Sequence, residues 1–134
     1  MKTVIFAAAL CATVCFSAFA QQAVPPVEML ATLPTGTTVT NFYKQDVYDP
    51  SNTKIGTIDD VLVNQQGRIT ALLIGVGGFL GVGEKDVAVP FSSIRASAQD
   101  NKWHLVLGAT KDGLKAAPGF TYDSTTTTWK PSKQ

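Results

Sequence analysis

The segment that most limits the fold is Arg68 to Gly77 (RITALLIGVG), a nearly unbroken apolar run. Such a run, bounded by turn residues, reads as a central strand buried on both faces. Shorter strand-like segments surround it. Phe42 to Tyr48 alternates loosely and stops at the turn cluster Asp49-Pro50-Ser51-Asn52. Lys54 to Asn64 (KIGTIDDVLVN) carries apolar side chains at Ile58, Val61 and Val63, and Gln65-Gln66-Gly67 closes a hairpin onto the central run. A glycine-rich stretch follows, then Lys85 to Ile94 (KDVAVPFSSI), in which Val87, Val89 and Phe91 alternate. Pro90 lacks an amide donor, so this strand is expected at an edge or bulged there. Asp100-Asn101-Lys102 makes a further turn, and Trp103 to Leu107 is a last strand with Trp103, Leu105 and Leu107 on one face. Thr110 can cap a short helix over Lys111 to Ala117, ended by Pro118-Gly119. Five or six short antiparallel strands with one short C-terminal helix point to an all-β fold, a small barrel that curls to avoid exposed edges.

The ends read differently. Lys2, the apolar stretch Val4 to Phe16 and the small residues of Ala18-Phe19-Ala20 have the layout of a cleaved signal peptide over residues 1–20. The expected location is therefore periplasmic or secreted, with no stable membrane insertion after cleavage. Both cysteines, Cys11 and Cys15, fall inside that segment, which leaves no disulfide and no thiolate chemistry. Without Lys2 the basic residues match the ten acidic ones. A balanced chain has no general attraction for nucleic acid. Gln21 to Thr38 is either an extended linker or an ordered strap carrying Val27, Met29, Leu30 and Leu33. The domain is expected over 39–120, and Thr121 to Gln134, with its four consecutive threonines Thr125 to Thr128, as a flexible tail.

The segments Val47-Tyr48-Asp49, Lys54 to Asn64 and Gly67 to Phe91 together resemble the PRC-barrel domain, known from the photosynthetic reaction centre H subunit and a ribosome maturation factor. The pattern covers Val47 to Ile94, with a weaker continuation through Trp103–Leu107 to Pro118. The resemblance implies a small PRC-type β-barrel that mediates protein–protein or protein–RNA contact, and the exported, stand-alone version implies no catalysis. Its structural positions here are Gly56, Asp60, Gly67, Gly77, Gly78, Gly81, Gly83 and Pro90. Asn64 departs from the acidic residue often found there, which puts any carboxylate pair across this hairpin in doubt.

Candidate sites are few. Asp59 and Asp60 are adjacent in a strand, so simple alternation points them to opposite faces and denies them a common substrate. Asp60 is expected to hold backbone amides at a bend, with Asp59 solvated. The run Gly75 to Gly83 lacks the Lys-Ser/Thr of a phosphate loop and joins two strands, so no helix N-terminus stands ready for a phosphate. Its glycines allow positive φ, and Phe79, Leu80 and Val82 ride on the tip, either folding back over the barrel end or meeting a protein partner. His104, the only histidine, has no second histidine to share a metal. Ser92 and Ser93 lie in no nucleophile elbow. Phe42, Tyr43, Tyr48, Phe91, Trp103, Phe120 and Tyr122 are not interleaved with basic residues, Arg68 and Arg95 are isolated, and core packing accounts for most of the rings. No catalytic residue, metal or cofactor is expected. The leading expectation is a protein-binding or assembly module, self-association included. The alternative is a carrier of a small apolar ligand near Trp103 and His104.

Overall fold

The computed structural model of the chain describes residues 27–78 and 83–133. The expected signal segment, residues 1–20, and the tip residues Phe79, Leu80, Gly81 and Val82 lie outside the described residues. The chain divides into two units, Met1–Pro34 and Thr35–Gln134. In the first, residues 27–34 form no helix or strand, and Val27, Met29, Leu30 and Leu33 are exposed.

The second unit begins with a single 3-10 turn, Val39–Asn41. Eight strands follow: β1 (Asp46–Tyr48), β2 (Lys54–Val63), β3 (Ile69–Val76), β4 (Lys85–Pro90), β5 (Ile94–Gln99), β6 (Lys102–Leu107), β7 (Phe120–Asp123) and β8 (Thr128–Pro131). One helix, α1 (Lys111–Ala116), separates β6 from β7. The strands make one sheet in the order β5-β6-β1-β2-β3-β4-β7-β8.

The all-β class holds, but three expectations about the barrel do not. The sheet has eight strands rather than five or six, and it does not close, because β5 and β8 each have only one hydrogen-bonded neighbour. It is also not wholly antiparallel: β6 returns to lie parallel to β1, with Val47 opposite Leu105 and Tyr48 opposite Val106. The extra strands have two sources. A 3-10 turn over Phe91–Ser93 splits the segment expected to run from Lys85 to Ile94, and the chain leaves it as a separate strand, β5. Asp100 and Asn101, both at positive φ, then turn β5 back into β6 as a tight hairpin. In place of a frayed tail, residues 120–131 form the β7–β8 hairpin, with Tyr122 opposite Trp129.

Pro90 ends β4 opposite Ala71. The far side of β4 pairs with β7 only at Asp86 and Phe120, so the ladder there asks for no amide from Pro90. The core cluster draws Val47 from β1, Ile55 and Ile58 from β2, Leu72, Ile74 and Val76 from β3, Val87 from β4, and Leu105 and Leu107 from β6. Phe42 and Leu114 of α1 complete it. Strands at distant positions in the sheet order meet in one cluster only if the sheet curls. Thr110 caps α1 as expected, its Oγ1 accepting from the Gly113 amide at 3.1 Å. β3 is buried on both faces over Leu72 to Val76: Leu73 points away from Leu72 and Ile74 and is still fully buried.

Candidate functional site

The outward face of β2 and β3 carries the most distinctive chemistry. In register, Thr57 lies opposite Gly75 and Ile58 opposite Ile74, but the next pair is Asp60 with Leu73. Asp59 is therefore the extra residue of a β-bulge, and a bulge breaks the alternation of faces. The two carboxylates expected on opposite faces both line one open groove of about 380 Å3.

Asp60 does what its position in a bend suggested: its Oδ1 accepts from the Val61 amide at 2.8 Å. Its Oδ2 accepts from the Trp129 indole Nε1–H at 2.7 Å, a bond between residues 69 apart in sequence. Asp59 is not simply solvated. Its Oδ1 receives the Lys44 ammonium at 2.5 Å. Lys44 reaches it from a left-handed backbone conformation, φ 60°. That conformation is fixed on either side, since the Lys44 amide donates to the Ile58 carbonyl and the Ile58 amide donates to the Gln45 carbonyl. The same ammonium lies 5.4 Å from the centre of the Tyr43 ring. The pairing with Asp59 raises the Lys44 pKa.

Gly75 is the space into which these groups fit. A β-carbon there would collide with Glu84 Oε1 and Asp59 Oδ2, so only glycine lets both carboxylates lean over the strand. Asp86 lies opposite Gly75. Partial burial, then the neighbouring charge of Asp59 and a hydrogen bond with it, then Glu84, push its pKa up to about 6, with Lys44 opposing. The far wall belongs to the β7–β8 hairpin, where Tyr122 packs edge-on against Trp129 at 5.6 Å. Tyr43 and Tyr122 are about half exposed, at 49% and 48%.

The PRC-barrel domain family matches residues 35–113. The chain belongs to the PRC-barrel family. No curated protein matches it. The PRC-barrel match ends before β7, so the groove is built between family residues and a hairpin that lies beyond the matched span.

The other sequence candidates fall elsewhere. Gly56 packs under β3, where a β-carbon would meet the Gly75 carbonyl at 2.7 Å. Gly67, Gly77, Gly78 and Gly83 all adopt positive φ, a conformation glycine takes without steric cost. Asn64 holds the β2–β3 turn, its side-chain oxygen accepting from the amides of Gln66 and Arg68. His104 stacks on Tyr48 at 4.8 Å between ring centres, and Trp103 packs on the core cluster. Ser92 and Ser93 are exposed on the turn before β5. Among the described residues, no group of three or more His, Cys, Asp or Glu side chains could hold a metal ion. The sequence reading missed Trp129 and Tyr122 as site residues and treated Tyr43 as core. The available signal was Gly75, a glycine inside an otherwise bulky buried strand.

Proposed function

We propose that this protein is a non-catalytic protein-binding or assembly module of the bacterial envelope, exported by its N-terminal segment. The supporting observation is the groove: half-exposed tyrosines and a tryptophan stand beside carboxylates on the outside of a packed sheet. Aromatic side chains of this kind are the usual anchors of protein interfaces. Asp86, its pKa pushed up to about 6, is suited to acid–base work. A reaction also needs a nucleophile or polarising donor free to face it; the Lys44 ammonium in the groove is paired with Asp59, and the opposite wall presents rings. The apolar tip Phe79, Leu80 and Val82 is a second contact in this reading.

A photo-crosslinking residue placed at Tyr122 in cells making the protein tests the reading. A discrete protein adduct is expected from position 122, lost when Trp129→Ala is added, and absent from a control at Ser97 on β5. No adduct from 122, or the same adducts from both positions, counts against the module. Sedimentation of Phe79→Asp and Leu80→Asp checks the tip: unchanged assembly and partner capture reduce it to a lid.

A further inference from the structure

We propose that the groove between the PRC-barrel domain and its added hairpin seats an arginine side chain of a partner polypeptide, with the guanidinium against the tyrosine and tryptophan rings and on the carboxylates of Asp86 and Glu84. This rests on the protein-binding reading and names what is bound.

The first argument is charge complementarity. Asp59, Asp60 and Asp86 line the groove, with Lys44 the one basic residue of its lining, and Glu84 leans over Gly75 beside Asp59 from an adjoining recess that Lys54 and Lys111 also line. The neighbouring Lys85 is turned away and donates to the Lys115 carbonyl. Two of the four carboxylates are already occupied: Asp59 holds Lys44, and Asp60 holds Trp129 and its own backbone. Asp86 and Glu84 have no cation of their own among the described ion pairs.

The second argument is that the chain already places one cation here. Lys44 sets its ammonium on a carboxylate and beside the Tyr43 ring, in the geometry by which aromatic faces attract cations. The Tyr122–Trp129 pair repeats the aromatic half of that arrangement on the opposite wall without a cation. A planar guanidinium suits it better than an ammonium, because it can stack on a ring while its fork meets carboxylate oxygens. Burial first, and then repulsion from Asp59 and Glu84, hold Asp86 partly protonated near pH 6; a cation arriving on the carboxylate favours its charged form, so binding drives a proton off. The charged and titratable groups around Asp86 are Asp59 and Asp60 from β2, Glu84 ahead of β4, Lys44 ahead of β1, Tyr43 beside it and Tyr122 from β7. Affinity accordingly rises as pH passes upward through about 6.

The test uses end-blocked alanine peptides with arginine, norleucine or glutamate at the centre, titrated into the purified protein by calorimetry at pH 5 and pH 7.5. The arginine peptide is expected to bind at least about fivefold more tightly than the norleucine peptide, a preference that Asp86→Asn and, separately, Glu84→Gln reduce. Both substitutions keep side-chain shape and remove like charge, so the fold is expected to tolerate them. Equal binding of arginine and norleucine peptides, no binding of any peptide, or indifference to both substitutions overturns the arginine site. A crosslinked partner at position 122 in the face of any of those results would leave the module reading standing and remove only its arginine.

Discussion

At the scale of single residues, two positions, Asp86 and Gly56, carry the sharpest consequences. Asp86 has its pKa raised from 3.8 to about 6, so its charged form is disfavoured in the folded state. Well below pH 3.8 both states hold the proton and nothing is lost. Between pH 3.8 and about 6 the unfolded carboxyl ionises freely while the folded one is held back by burial and by Asp59 and Glu84, so stability falls across that window and levels off above it. Asp86→Asn is therefore expected to stabilise the protein at pH 7.5, by about 1 kcal/mol once solvent screening in an open groove is allowed for, and to be neutral at about pH 3. Urea unfolding at the two pH values reads this directly, and equal effects at both would contradict it. Gly56 is the second position. A β-carbon there meets Ile74 Cγ2 at 2.6 Å and the Gly75 carbonyl at 2.7 Å, and backbone cannot step aside. Gly56→Ala is expected to cost about 1–3 kcal/mol in urea unfolding. Gly75→Ala meets only the movable ends of Glu84 and Asp59, so it should cost less stability while disturbing the Lys44 pairing.

At the scale of elements, β2, β3, β4 and α1 were legible because each carries its own signal: alternation, a continuous apolar run, a capping threonine. β5 was not. Only Ile94 packs against the core and the rest of the strand is exposed, so it presents no core face to read. The β7–β8 hairpin hid behind its threonines, where the pairing of Tyr122 with Trp129 has no local mark. The bulge at Asp59 was equally silent, since two adjacent aspartates look the same in a regular strand as in a bulged one. The hairpin's attachment is now specific enough to test. It meets the domain through a single β4 pair, Asp86 with Phe120, and through the Trp129–Asp60 hydrogen bond. Trp129→Phe removes the indole donor to a charged acceptor, worth about 1.5–3 kcal/mol. Amide hydrogen exchange across 120–131 is expected to speed up about tenfold or more, with β2 and β3 unaffected. Unchanged exchange in the hairpin would show that the bond does not hold it.

At the scale of the whole molecule, the family was readable from Lys54 to Phe91, while the sheet order was not. The parallel pairing of β1 with β6 joins strands more than fifty residues apart, and no local pattern encodes it. The groove has the same character. Its carboxylates come from the PRC-barrel span and its rings largely from the hairpin beyond it, so neither part shows a site alone. The most direct measurement is a nitrogen–proton correlation spectrum of the protein titrated with the arginine peptide. The indole Nε1–H of Trp129 should shift, together with the amides of Lys44, Asp59, Asp86 and Tyr122, and β5 should stay still. Shifts centred on β5 or on Trp103 and His104, with the Trp129 indole unmoved, would contradict the account.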